Sequence, residues 1–403
     1  MRIPHLLPSL LLATAALPAI AADDLSACLD RLQPKARAAG ISDALFREHT
    51  DGLVSDPSVL EALDYQPEFR TPLWDYLAGL VDQERVDDGR ALLEEHAALL
   101  SRIEAEYGVD AATVVAVWGV ESDYGRTFGS KSLLRSLATL SCAGRRQDFF
   151  RGELFAVLKL IQAGDLSAEG LTGSWAGAFG HTQFMPSTYT RIAVDGDGDG
   201  RRDLVGSVPD ALASTANYLK RAGWRTGQAW GHEVLLPEGF DTSVNGRTAR
   251  RPLSAWRSRG LVRADGGELP GDERAAALLV PTGPKGPAFL VFRNYDAIYS
   301  YNAAESYALA IALLAQRLRG DGGLHAAWPT DDPGLSRAER RELQQILVDR
   351  GHDIGPVDGM VGKLTREALA KEQARLGLPA DGRAGQKVLK ALRADAPSPA
   401  PAR

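Results

Sequence analysis

The spacing of apolar residues changes twice along this 403-residue chain, and that change limits the fold more than any single motif does. From Leu25 to about Leu219 the spacing is helical, as in Ala91-Leu92-Leu93, Leu99-Leu100, Ile103 and Tyr107, or Leu154-Phe155, Val157-Leu158 and Ile161. From Trp224 to about Asn294, Gly and Pro instead punctuate short apolar runs such as Val234-Leu235-Leu236 and Ala288-Phe289-Leu290-Val291-Phe292, and Pro281 to Pro287 reads as a hairpin loop. Helical spacing returns over Ala303 to Leu318, with Tyr307, Ile311 and Leu314 on one face. The expected class is α+β, mostly α: a helical body over residues 23–319 interrupted by a small β-containing insertion at about 225–294.

The C-terminal part of the chain differs in composition and charge. Residues 320–334, with Asp331-Asp332-Pro333-Gly334, carry little periodicity and read as a linker. Residues 335–394 form a small domain with a weak internal repeat, Val357-Asp358-Gly359-Met360-Val361-Gly362 returning as Ala380-Asp381-Gly382-Arg383-Ala384-Gly385, each before a helical run. Residues 395–403 read as a disordered proline-rich tail. The net charge is −6, yet the small domain has 12 Lys/Arg against 8 Asp/Glu, a net +4 that leaves the rest at −10. An acidic chain lacks the field for non-specific nucleic-acid binding, so no nucleic-acid partner is expected, and the basic module suggests a partner of its own.

Residues 1–22 read as an export signal: Arg2, an apolar run from Leu6 to Leu17, then Ala19-Ile20-Ala21. No later stretch supplies the ~20 apolar residues of a spanning helix, and no cysteine stands at the cleavage site for lipid attachment. A soluble, exported protein without a membrane anchor is expected. Cys28 and Cys142 are the only cysteines, and in an oxidising compartment pairing is the simplest expectation, against two buried free thiols.

Three segments could carry chemistry. In Val114-Val115-Ala116-Val117-Trp118-Gly119-Val120-Glu121-Ser122, a helix places Glu121 at i+3 from Trp118 and i+7 from Val114, on the apolar stripe. Desolvation there favours the neutral acid, as a general acid requires; a buried Glu paired with an Arg fits the same spacing, which does not choose between them. Gly173-Ser174-Trp175-Ala176-Gly177-Ala178-Phe179-Gly180-His181-Thr182-Gln183-Phe184-Met185-Pro186-Ser187 mixes glycines with polar and aromatic side chains, either a sugar-binding surface or a packed loop. Asp195-Gly196-Asp197-Gly198-Asp199-Gly200-Arg201 matches the opening of a calcium loop, with Asp195, Asp197, Asp199 and the Arg201 carbonyl as ligands. Gly206 stands where the bidentate Glu belongs, so Asp210 closes the site only in a longer loop; the alternative is a solvated acidic turn. Calcium here would be a structural brace, and no cofactor is expected for catalysis.

At these residues the chain resembles the lytic murein transglycosylase B family, in particular its soluble periplasmic members. The likeness rests on Glu121-Ser122 after an apolar helix, on the Gly173 to Ser187 segment, on the Asp-Gly repeat followed by Ala216-Asn217-Tyr218, and on Tyr301-Asn302 followed by Tyr307. It spans roughly Leu25 to Leu318, with Phe179 where methionine is common in the family. Leu335 to Leu392 separately resembles a three-helix peptidoglycan-binding domain through Leu343-Gln344, Pro356-Val357-Asp358-Gly359 and Gly377-Leu378-Pro379-Ala380-Asp381-Gly382.

The resemblance implies a goose-lysozyme-like body that cleaves the β-1,4 bond between N-acetylmuramic acid and N-acetylglucosamine in periplasmic peptidoglycan, leaving a 1,6-anhydro end. Glu121 would be the single catalytic acid/base, with Asp123 and Glu153 the nearest alternatives for a second acid. Ser174, Gln183, Phe184, Tyr218, Tyr301, Tyr307 and, less directly, Tyr76 would shape the sugar subsites, and Arg145 and Arg146 would meet carboxylates of the lactyl or peptide stem. The +4 module would match the carboxylates of the wall. Glycan strands are the implied partner, with other cell-wall enzymes as further ones. A hydrolytic muramidase and a non-catalytic wall-binding scaffold remain the competing readings.

Overall fold

A computed structural model describes residues 22–63 and 71–395. Residues 1–21 of the expected export signal and residues 396–403 of the expected tail lie outside the described residues. The fold is mostly helical, as the spacing predicts, with a five-stranded sheet and a separate two-stranded one.

The helical body has two apolar cores. The first surrounds the helix Ala111–Ser122, which packs on Gln83–Glu95, Ala97–Tyr107, Val208–Arg221 and Glu305–Leu318. Asp110 starts that helix, its Oδ1 accepting from the Thr113 amide at 3.0 Å, a cap worth ~1 kcal/mol. Every residue from Ala112 to Gly119 is buried, so the helix has no solvated face opposite an apolar stripe. It is core all round between its ends, and beyond its first residue, Ala111, it opens at Val120 and Glu121 in the last turn. The second core gathers Ala22–Ala38, Leu133–Cys142 and Gln147–Gln162. Cys28 and Cys142 are joined there in a disulfide with Cα atoms 5.9 Å apart. Tyr218 and Tyr301 pack against both cores, so the boundary between the two half-bodies is lined by aromatic rings.

The five-stranded sheet is antiparallel throughout, in the order Arg251–Pro252, Ala275–Leu279, Ala288–Val291, Gly231–Leu235, Val262–Arg263. In its central hairpin Leu278 pairs with Leu290. Side chains alternate between two buried environments: Ala277, Leu279, Phe289 and Val291 face the first helical core, whereas Ala276, Leu278, Ala288 and Leu290 meet Trp256 and Leu253 in a core of their own. Burial on both faces explains why these strands read as unbroken apolar runs.

The C-terminal module holds three helices, Arg337–Asp349, Lys363–Arg375 and Gln386–Ala394, around Leu343, Leu347, Leu369 and Leu389. Its sequence repeat has a physical meaning. In each copy a buried glutamine accepts from the glycine amide of an Asp-Gly turn, Gln344 Oε1 from Gly359 at 2.6 Å and Gln373 Oε1 from Gly382 at 2.7 Å. The same glutamines donate Nε2 to Asp358 at 3.1 Å and Asp381 at 2.8 Å. Gly359 and Gly382 have φ of 80° and 69°, where a Cβ would be strained.

The module is seated on the helical body, and its basic surplus is partly used there. Arg337 contacts Asp82, Asp88 and Asp123; Arg341 meets Glu84 at 2.6 Å, and Arg383 grips Asp75 at 2.7 and 2.8 Å. The expectation that the +4 charge serves the wall is corrected to that extent, because these arginines answer the acidic body. Residues 320–334 form no helix and are anchored, the amides of His325 and Ala326 each donating to Glu233 at 2.8 Å.

Candidate active site

Glu121 stands at the open end of the Ala111–Ser122 helix, half-buried at the boundary of the two half-bodies. The Tyr307 hydroxyl, from the buried helix Glu305–Leu318, donates to Glu121 Oε1. Tyr307 stacks on Tyr301 with ring centroids 6.3 Å apart, Tyr301 lies 4.7 Å from Tyr218, and Phe184 touches both Tyr301 and Tyr218. Burial, followed by the Glu121 charge, holds the Tyr301 and Tyr307 hydroxyls well above the ordinary phenol range, so both stay protonated as donors. Tyr76, on Leu73–Leu80, lies within electrostatic reach of Tyr307.

The glycine-rich segment closes one side. Its start, Thr172–Gly173, pairs with Lys131–Ser132, and Gly173 needs its hydrogen because a Cβ would stand 2.3 Å from the Ala178 carbonyl. Tyr301 Oη donates to the Thr182 carbonyl at 2.8 Å, which ties the loop to the aromatic cluster. Gln183 has a φ of 51° and gives Nε2 to the carbonyls of Gly180 at 2.9 Å and Phe128 at 3.2 Å, so a sugar contact by this side chain falls to Oε1. Ser174 Oγ accepts from the Ala178 amide at 3.0 Å. That bond gives Ser174 a loop-holding role whatever it does for a ligand.

Glu121, Tyr307, Tyr301, Tyr218, Phe184 and Tyr76 are therefore brought together, and Gln183 adjoins them. Arg145 and Arg146 make different contacts, Arg145 with the Leu63 carbonyl and Arg146 over the Phe149 ring at 4.4 Å. The other two acids considered are committed elsewhere. Glu153 is 3% exposed and accepts from the Ser187 amide at 2.8 Å and its hydroxyl at 2.7 Å; Asp123 is held by Arg337, by Arg85 at 3.3 Å and by Arg126 at 3.6 Å.

Sequence reasoning missed the support beneath Glu121. Ser122 Oγ donates to the His181 carbonyl at 2.5 Å and accepts from Gly125 N–H at 2.9 Å, while Trp118 Nε1 donates to His181 Nδ1 at 3.1 Å. Burial lowers the His181 pKa, consistent with a neutral ring that accepts at Nδ1. A histidine directly after the Gly180 turn was the only available signal.

The acidic loop fits a cation in part. Carboxylate oxygens of Asp195, Asp197 and Asp210 lie within 4.8 Å of one another. Asp210 does close the loop, from the buried start of Val208–Arg221, and Gly196 permits this because a Cβ would stand 2.4 Å from the Pro209 carbonyl. Asp199 falls outside the cluster; its Oδ1 accepts from the Arg201 amide at 2.8 Å. Hard carboxylate oxygens at loop positions one and three plus a buried third suit Ca²⁺.

Comparisons with known proteins match the chain in two parts. The transglycosylase SLT domain matches residues 24–316, and a peptidoglycan binding domain matches residues 336–392. Membrane-bound lytic murein transglycosylase B of Escherichia coli (strain K12) is 33% identical over 267 residues, which is 63% of this chain and 66%, just under two thirds, of that protein. Among solved structures, SltB3 from Pseudomonas aeruginosa in complex with NAG-NAM-pentapeptide is 49% identical with a TM-score of 0.74, covering 92% of this chain and 99% of that one. The Escherichia coli lytic transglycosylase SLT35 in complex with calcium is 30% identical with a TM-score of 0.63, covering 73% of this chain and 92% of that one.

Proposed function

Since the chain belongs to the SLT transglycosylase family, we propose that it cleaves the β-1,4 bond between N-acetylmuramic acid and N-acetylglucosamine in peptidoglycan, with Glu121 as its single acid/base. The observation that carries the assignment is the Tyr307 hydroxyl on Glu121 Oε1 at the aromatic boundary, while Asp123 and Glu153 are engaged by arginines and by Ser187.

The chemistry follows from those contacts. Neutral Glu121 gives its proton to the glycosidic oxygen as the bond from the muramyl C1 to that oxygen breaks. The muramyl C6 hydroxyl then attacks C1, and the Glu121 carboxylate takes its proton, which restores the acid and closes the 1,6-anhydro ring. Tyr307, donating to one carboxyl oxygen, stabilises the charge between the two transfers and leaves the other oxygen to the substrate. An internal hydroxyl replaces water, so proximity supplies part of the rate and no second carboxylate is needed. Tyr218 and Tyr301 are partly exposed and offer apolar ring faces to the sugars, whereas Phe184, expected to line the subsites, is buried and backs those two rings from the core.

The finer parts of the reading rest on residues rather than on the family. Asp195, Asp197 and Asp210 would hold Ca²⁺ as a brace at the start of Val208–Arg221, which carries Tyr218. The export-like start of the sequence and the Cys28–Cys142 disulfide support action in the periplasm, and no helix among the described residues is long and apolar enough to cross a membrane. Mass spectrometry of sacculi digested by the full chain tests the reaction: anhydro-muramyl ends are expected, and reducing muramyl ends would make the enzyme a hydrolytic muramidase instead.

A further inference from the structure

The C-terminal module reaches the helix that carries Glu121. Arg337, the first residue of its first helix, is 9% exposed and gathers three carboxylates of the helical body. Its Nε lies 3.1 Å from Asp82 Oδ2, its Nη2 lies 3.7 Å from Asp88, and its Nη1 donates to Asp123. Asp123 follows Glu121 by two residues and ends the same helix, its amide bonded to the Gly119 carbonyl at 3.1 Å.

That helix end is an unfavourable conformation. Asp123 and Tyr124 have φ of 51° and 59°, two successive non-glycine residues in the left-handed region, which persist only where neighbours hold them. The neighbours are identifiable. Tyr124 Oη donates to the Arg85 carbonyl at 2.7 Å, and Arg85 in turn donates to the Gly119 carbonyl and stands 3.3 Å from Asp123. Arg126 approaches Asp123 to 3.6 Å. Arg337 is the cation that the module contributes to this cage.

We infer that Arg337 is a positioning residue for catalysis: seating the C-terminal module completes the cage around Asp123, fixes the last turn of the helix and so aims Glu121. The module then acts on turnover itself in addition to any role in holding the wall. This rests on Glu121 being the acid/base. Arg341 provides a contrast within the same docking surface, because it meets Glu84, on Gln83–Glu95, and does not reach the strained turn.

The test uses the full chain and a short soluble tetrasaccharide of alternating N-acetylglucosamine and N-acetylmuramic acid, with anhydro product followed by mass spectrometry. A weakened grip of the module on long glycan strands has little bearing on so short a substrate. Arg337→Ala and Asp123→Asn should each lower kcat tenfold or more with KM within twofold of the parent, Arg337→Lys should recover part of the loss, and Arg341→Glu should stay within twofold. A parental kcat for Arg337→Ala, an equal loss in Arg341→Glu, or a loss confined to KM would overturn the inference. Should Arg337→Ala melt as an unfolded chain, Arg337→Lys and Asp123→Asn carry the same decision. A parent that yields no anhydro product from tetrasaccharide or sacculi would instead remove the Glu121 reading, and this inference with it.

Discussion

The helical body and the C-terminal module are held together in opposite ways. In the body the deciding contacts close long stretches of chain: Tyr307 meets Glu121 across 186 residues, and Cys28 meets Cys142 across 114. In the module they are short-range, with Gln344 clamping a turn 15 residues on and Gln373 one only 9 residues on. Long-range closure brings together side chains that local sequence never juxtaposes, which is what a site needs; local clamping makes a compact unit that can be seated as one piece. The two also divide the charge, with the body's acids answered by the module's arginines.

Perturbing each region separately should sharpen this contrast. The largest effect is expected on replacing both Cys28 and Cys142 with Ser, which releases a closed loop worth ~4–5 kcal/mol in the chain-entropy model. Hydrogen exchange should show lost protection in the helices around Leu25 and Leu137, with the module's protection retained; uniform loss over both regions would contradict the division. Calcium comes next. At a concentration 100 times its dissociation constant the ion should stabilise the body by ~2.7 kcal/mol over a chelator, read as a rise in Tm, and Asp210→Asn should abolish the rise. An identical Tm with and without the ion would remove the proposed brace.

Gln373→Ala should destabilise the module by ~1–3 kcal/mol, because it leaves the buried Gly382 amide without its acceptor. Exchange in the helices Lys363–Arg375 and Gln386–Ala394 should report the loss, and protection unchanged there would show that the repeat is not a clamp. Tyr307→Phe is the gentlest in free energy, ~1.4 kcal/mol, corresponding to a tenfold fall in kcat with Tm nearly unchanged. A fall in Tm without a fall in kcat would make Tyr307 a packing residue.

The architecture was legible where spacing is local. Helical periods located the body, and the apolar runs at Val234 and Ala288 located strands, although alternation was hidden because Ala277 and Leu278 are both buried on opposite faces. The Asp-Gly repeat was visible and so was Gln344, but neither Gln373 nor the clamp that each glutamine makes on its turn could be read from spacing. Glu121 stood out from its apolar helix, yet that helix is buried all round, so the carboxyl is distinguished by the open helix end and by Tyr307. Phe184 stood out within the glycine-rich segment, and family resemblance gave Tyr218 and Tyr301 their subsite roles, but the mutual contacts of the three are tertiary facts no periodicity contains. Resemblance also attached stem-binding roles to Arg145 and Arg146, which here contact Leu63 and Phe149. The calcium spacing rule included Asp199, whereas the carboxylate cluster is Asp195, Asp197 and Asp210. Arg337 was invisible, since a charge count cannot say that a basic module is answering its own chain.

The central claim is that one carboxyl performs both proton transfers. Its most direct test is Glu121→Gln beside the parent chain on intact sacculi, with anhydro-muramyl ends counted by mass spectrometry and Tm measured on both. Glutamine keeps the shape but carries no carboxylic proton, so the account predicts a fall of at least ~10³-fold in product at an unchanged Tm, with sacculi still bound. Anhydro product formed at the parental rate would contradict it and move the acid/base role to another residue.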